Sequence, residues 1–199
     1  MNLPNKITLS RIFMIPIFVL VFFLDDVLPF NYGIAAIIFA VAACTDFIDG
    51  HIARSRGLVT NLGKFLDPIA DKVLVSTAMI LILTMGNSLF VYLKGAAVAV
   101  YVATAICICI IMARELIISA FRQIAAVNNF VLAAEKLGKY KTACQDVSIF
   151  VLIFAASLEG TFGAVCAYVG FGLFAIATIL TIWSGVSYVV KYRNVLKDA

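Results

Sequence analysis

Val98-Ala99-Val100-Tyr101-Val102-Ala103-Thr104-Ala105-Ile106-Cys107-Ile108-Cys109-Ile110-Ile111-Met112 runs without a charged residue, and Val73–Leu83 forms a second uncharged apolar stretch. Continuous runs of this kind predict helices. The strands of a transmembrane barrel would instead alternate apolar and polar residues over segments of about 10 residues. The chain around them is 64% hydrophobic and 13% charged, with a mean hydropathy of +1.09, which sets it outside the soluble classes. A span needs about 20 residues, so the 199 residues hold about six, read here at 8–24, 33–52, 64–85, 91–113, 141–158 and 163–188. No internal repeat or low-complexity linker divides them, and residues 1–199 are read as a single domain.

Positive charge sets the expected orientation. Lys6 and Arg11 open the first span, Arg54, Arg56, Lys64 and Lys72 flank the second connection, and Arg114, Arg122, Lys136, Lys139 and Lys141 fill the fourth. Lys191, Arg193 and Lys197 form the tail, so that of 15 Lys and Arg only Lys94 falls near a connection of the other set. Both termini are expected on the cytoplasmic side. The formal net charge of +4 is then a one-sided basic face, suited to anionic lipid or a phosphorylated substrate. It lacks the interleaved aromatics of a nucleic-acid surface, so no nucleic acid is expected as a partner.

No cleavable signal peptide is evident: Met1–Ser10 is polar and the span after it has no small-residue cleavage site. Asn2–Arg11 reads instead as a short interfacial helix, with Leu3 and Ile7 on one side and Pro4 in its first turn. The five cysteines form no Cys-x-x-Cys pair and read as small buried apolar residues. Trp183 and Tyr188 read as interfacial aromatics, and His51, the single histidine, as a bystander.

Against this apolar background stand Asp46-Phe47-Ile48-Asp49-Gly50-His51-Ile52-Ala53-Arg54 and Gly63-Lys64-Phe65-Leu66-Asp67-Pro68-Ile69-Ala70-Asp71. Each acidic group near a membrane core costs roughly 2.5–3.5 kcal/mol, so four within 26 residues mark a functional site. Asp46 and Asp49 are spaced i, i+3 and Asp67 and Asp71 i, i+4, which places each pair on one helical face. The short connection between the two spans brings those faces together at the cytoplasmic surface. An empty bowl of four carboxylates would repel itself or take up protons. Divalent cations relieve this, and all-oxygen ligands suit Mg²⁺, Mn²⁺ or Ca²⁺. Two such ions can bridge phosphate oxygens in a displacement. Gly50 and Ala53 leave a groove for close approach, Gly63 and Pro68 loosen the start of the third span, and Arg54 can grip a phosphate.

The string D-x2-D-G-x2-A-R-x8-G-x3-D-x3-D resembles the signature of the CDP-alcohol phosphotransferase family, and Asp46, Asp49, Gly50, Ala53, Arg54, Gly63, Asp67 and Asp71 match every defined position. Asn2–Arg11, Arg114–Arg122 and Gly138–Thr142 with Gln145 are similar to the bacterial branch that uses glycerol phosphate. The resemblance implies an all-α integral membrane protein with six transmembrane helices around a polar cavity open to the cytoplasm, in a homodimer in the bacterial inner membrane. It implies two divalent cations, Mg²⁺ or Mn²⁺, and a CDP-linked donor, CDP-diacylglycerol. By the same resemblance Asp46, Asp49 and Asp67 are metal ligands and Asp71 a ligand or the general base. Gly50, Ala53 and Arg54 would hold the cytidine diphosphate together with Asp46, with Asn5 and Thr8 nearby.

A second polar set bears on the acceptor. Glu115, Ser119 and Arg122 lie at i, i+4, i+7 and share a face, with Arg114 one step around it. Lys139 and Lys141 arrive from the next connection. Arg114, Arg122, Lys139 and Lys141 are expected to form a cationic pocket for the phosphate of the acceptor. Charge alone allows sn-glycerol 3-phosphate or inositol phosphate, whereas serine has no need of so many cations; the resemblance of the Arg114–Arg122 string favours glycerol phosphate. A cation or proton transporter would place its acids near the midplane and show duplicated broken helices, and neither is visible here.

Overall fold

The computed structural model describes residues 3–55, 61–86, 88–127 and 136–192. Within them the chain forms six α-helices: α1 (Leu3–Phe22), α2 (Asn31–Ser55), α3 (Asn61–Thr84), α4 (Ala97–Val127), α5 (Lys136–Ala155) and α6 (Gly160–Lys191). A 3₁₀ turn over Phe90–Ala96 leads into α4. No strand occurs among the described residues.

The helices pack α5 on α6 and α1 on α2 most extensively, with α2 also against α5, α1 against α3, and α4 against α6. Their shared core contains Phe18, Phe39, Leu74, Met79, Ile82, Ile111, Ile149 and Leu152, all essentially inaccessible. Glycines allow the closest approaches. A Cβ on Gly170 of α6 would lie 2.7 Å from Leu152 Cδ2, and one on Gly163 would lie 2.8 Å from the Leu158 carbonyl oxygen. At the α1–α2 bend, the buried Asn31 Nδ2 donates to the Phe22 carbonyl at 2.8 Å and so satisfies one of the orphan acceptors at the end of α1.

The outer surface is unusually apolar. Phe13, Ile17 and Leu20 on α1, Val98, Val102 and Ile106 on α4, and Ile176, Ile179 and Val186 on α6 are all exposed. So many exposed apolar side chains suit hydrocarbon rather than water. Segments Ala97–Gln123 and Gly160–Lys191 are each long and apolar enough to cross a membrane.

The helices depart from the hydropathy reading in several places. The expected interfacial helix is not a separate element, because α1 runs unbroken from Leu3 to Phe22. Thr8 and Arg11 of this segment are buried, while Ser10 is exposed. The fourth span was expected from residue 91, yet α4 begins at Ala97; its run through Arg114 and Glu115 to Val127 is the helical extension on which Glu115, Ser119 and Arg122 were expected to share a face. Arg and Glu are good helix formers, so the backbone continues where hydropathy stops. Cys44 and Cys109, expected to be buried, are exposed on the apolar surface. Tyr188, expected at the interface, is 2% exposed and packs edge-on against Phe121, whereas Trp183 does face outward.

Candidate functional site

The motif occupies the last turns of α2 and the first half of α3. Asp46, Asp49, Gly50, Ala53 and Arg54 lie on α2, and Asp67 and Asp71 on α3. Both segments are helical, so the i, i+3 and i, i+4 spacings place each acidic pair on one helix face, and α2 and α3 contact each other. The side chains of Asp46, Asp49, Ala53, Arg54 and Asp67, like that of Asn5 on α1, lie outside the described residues, as does the surrounding of Gly50. Among the described residues no three His, Cys, Asp or Glu side chains gather.

Asp71 is half-buried and opens the wall of a cavity between α3, α4 and α5. The cavity holds about 90 Å³, and its polar wall comprises Asp71, Lys72, Ser76, Glu115, Lys141, Thr142, Gln145 and Asp146. Val75, Met79, Met112 and Leu116 supply apolar walls. Eight of the twelve lining residues are polar and five of them ionisable, a wall that suits a small charged molecule.

Lys141 is the most buried cation in this wall, its side chain 3% exposed. Its ammonium donates to Glu115 Oε1, the carboxylate that Arg114 Nη1 also approaches at 3.4 Å. Lys72 Nζ reaches the Glu115 backbone carbonyl at 3.5 Å, and Ser119 Oγ donates to the same oxygen at 2.7 Å. Glu115 thus gathers three cations from three helices, and it remains partly open to the cavity with its side chain 30% exposed. One helical turn from Lys141, Gln145 is buried, with its Nε2 3.8 Å from Met79 Sδ.

The four cations expected to form one phosphate pocket take different places. Lys141 lines the cavity and Arg114 sits at its edge through Glu115. The Arg114 Nη2 donates to Ser184 Oγ at 2.9 Å, and its aliphatic stem crosses α6 at Gly185, where a Cβ would stand 3.0 Å from Arg114 Cγ. Arg122 turns toward α6 as well: its Nε donates to Tyr188 Oη at 3.4 Å and its guanidinium lies over the Tyr188 ring at 5.5 Å. Lys139 is exposed on the first turns of α5 and outside the cavity lining.

Near the other end of the motif, Arg11 of α1 is fully buried and its Nε donates to Thr45 Oγ1 at 3.5 Å. Thr45 in turn donates to the Ala42 carbonyl at 2.6 Å. Arg11, read from sequence only as a topology signal, therefore anchors α1 to α2 one residue before Asp46. Lys72 had the same reading and stands in the cavity wall. Gln145 carried no role in the sequence reading, although its i, i+4 spacing from Lys141 put both on one face of α5.

Residues 1–183 match the CDP-alcohol phosphatidyltransferase family. Over 199 residues, 99% of this chain and 98% of the relative, the sequence is 38% identical to the CDP-diacylglycerol–glycerol-3-phosphate 3-phosphatidyltransferase of Escherichia coli (strain K12). The protein of the same name from Shigella flexneri serotype 5b is 38% identical over 199 residues, and that from Salmonella paratyphi A 37% over 201, with the same coverage. With its motif complete and its match running through five helices and into the sixth, the chain belongs to the CDP-alcohol phosphatidyltransferase family.

Proposed function

We propose that this chain transfers the phosphatidyl group of CDP-diacylglycerol to sn-glycerol 3-phosphate, giving phosphatidylglycerophosphate and CMP. The observation that carries the reading is one cavity with Asp71 on α3 and the buried Lys141 on α5 in its walls. A proton acceptor and a cation in a single small cavity suit an acceptor with a hydroxyl at one end and a phosphate at the other. The full-length similarity to relatives named for this reaction supports the same assignment.

The reaction is read as a direct displacement. The acceptor phosphate is held by Lys141 and drawn in by Lys72. Asp71 takes the proton of the acceptor hydroxyl as its oxygen bonds to the lipid-side phosphorus. The bond from that phosphorus to the bridging oxygen breaks, and its electron pair leaves with CMP. A carboxylate is a weak base, so orienting the hydroxyl contributes at least as much as removing its proton. Asp46 together with Gly50, Ala53 and Arg54 would hold the cytidine diphosphate, with Asn5 and Thr8 nearby. Arg114 and Arg122 would assist the acceptor phosphate indirectly, by fixing Glu115 and the α4–α6 packing, with Lys139 at the entrance.

The donor set fits divalent metal. Four carboxylates on two contacting helices, one of them lining the cavity, offer only oxygen ligands. Asp46, Asp49, Asp67 and Asp71 would hold two cations, Mg²⁺ or Mn²⁺, which when bound neutralise diphosphate charge. The exposed apolar side chains and the one-sided basic residues support six spans in a bacterial cytoplasmic membrane, with both termini and the cavity on the cytoplasmic side. A homodimer is part of the same proposal, on the family resemblance.

The test is CMP release by purified protein with CDP-diacylglycerol and Mg²⁺ or Mn²⁺, offering glycerol 3-phosphate, inositol 1-phosphate and serine separately. Release only with glycerol 3-phosphate, abolished in Asp71→Asn, is expected. Full turnover by Asp71→Asn would remove Asp71 from the mechanism, and release with another acceptor would overturn the substrate assignment.

A further inference from the structure

Gln145 is 2% exposed, lines the cavity, and its Oε1 has no hydrogen-bond partner among the described residues. Its Nε2 donates to the thioether sulfur of Met79, at 3.8 Å. A buried amide oxygen left without a donor is costly, so its persistence in a cavity wall indicates a donor that arrives with a ligand.

The position of the residue indicates which donor. Gln145 follows Lys141 by four residues on α5, so the two share a face about 6 Å apart along the axis. Lys141 lies nearer the basic end of the helix and Gln145 farther along it, away from that end. Asp71 comes from α3, across the cavity. If Lys141 holds the phosphate and Asp71 the attacking terminal hydroxyl, a three-carbon phosphate has one donor left, the hydroxyl on its middle carbon. Glu115 is taken by Lys141 and Arg114.

We infer that Gln145 is a specificity-determining residue that accepts a hydrogen bond from the secondary hydroxyl of a three-carbon phosphate acceptor. The inference rests on the transfer reaction proposed above and deepens it, since it assigns acceptor selection to one amide oxygen.

The experiment compares sn-glycerol 3-phosphate with 3-hydroxypropyl phosphate, which keeps the phosphate and a terminal hydroxyl and lacks only the middle one. CMP release is measured with the full-length protein. The wild type is expected to favour glycerol phosphate in kcat/KM by about tenfold or more. Gln145→Met fills the same space without the acceptor. It should level that preference by lowering only the glycerol phosphate value, with the KM for CDP-diacylglycerol unchanged. Gln145→Leu also lacks the acceptor and should level the preference in the same way, which decides the matter if the Met variant does not fold, while Gln145→Glu restores an acceptor oxygen and should keep a preference for glycerol phosphate. A wild type that does not discriminate, or a Gln145→Met protein that discriminates as well as the wild type, would overturn the inference while leaving the transfer reaction in place. Absence of CMP release with either phosphate in the wild type would overturn the transfer reading itself, and the inference with it.

Discussion

Lys141→Met separates the two tasks that the structure gives one ammonium. In the folded protein Lys141 neutralises Glu115, and in the proposed reaction it holds the acceptor phosphate. Breaking a fully buried ion pair by removing one partner costs about 3–5 kcal/mol. Here Glu115 is 30% exposed and keeps Arg114 Nη1 at 3.4 Å, so solvent and the second cation absorb most of that cost. A stability loss of about 1–2 kcal/mol remains. The lost phosphate contact is a charge-assisted hydrogen bond worth about 1.5–3 kcal/mol, or roughly 10- to 100-fold in kcat/KM. That loss should appear mainly in the KM for glycerol 3-phosphate, with the KM for CDP-diacylglycerol unchanged. Thermal unfolding in detergent reports the first task and CMP release the second. The double variant Lys141→Met, Glu115→Gln removes the uncompensated carboxylate and should regain stability without regaining activity. A Lys141→Met protein that loses stability but keeps its glycerol phosphate KM within about twofold of wild type would show that Lys141 is structural and refute its role at the phosphate.

Chelation with EDTA should abolish CMP release, and added Mg²⁺ or Mn²⁺ should restore it; full activity after exhaustive chelation would count against a four-carboxylate metal site. Arg11→Met removes a fully buried guanidinium from the α1–α2 contact at Thr45 and should cost about 2–4 kcal/mol in thermal unfolding, with activity falling as the end of α2 loosens. Arg11→Lys should not rescue it, because an ammonium lacks the planar fork. In α6, Gly163→Ala should destabilise by about 1–3 kcal/mol, since the new Cβ meets Tyr92 Oη at 2.7 Å and the Leu158 carbonyl at 2.8 Å. Gly172→Ala, with nothing within 4 Å, should be neutral or gain up to about 1 kcal/mol from helix propensity, and equal effects at the two positions would refute the packing argument.

The helices were legible because burial in lipid imposes long apolar runs, and the acidic motif because charge is so costly beside them. Helix ends were less so. Hydropathy follows the solvent outside the helix, whereas the backbone follows propensity, and α4 continues through Arg114 and Glu115 for that reason. At α1 the error ran the other way. Arg11 read only as a topology signal, yet it is buried and bonds to a neighbouring helix whose approach no local pattern encodes.

The same limit governs the candidate site. Periodicity puts Asp67 on one helix face with Asp71, and would put Lys141 with Gln145, because each pair shares one helix. It could not sort Arg114, Arg122, Lys139 and Lys141, since they lie on two helices and their surroundings depend on a third. The small residues of α6, Gly185 and Ser184, let the Arg114 stem cross and give its guanidinium a partner, while Tyr188 takes Arg122. Once α6 has engaged both arginines, Lys141 is the member of the set left lining the α3–α4–α5 cavity. A basic set that reads as one pocket along the chain is therefore divided in space: two arginines brace α4 against α6, and one lysine faces the cavity that Asp71 shares. Replacing Ser184 or Tyr188 should accordingly disturb the cavity through Glu115 and α4 rather than through any contact with substrate.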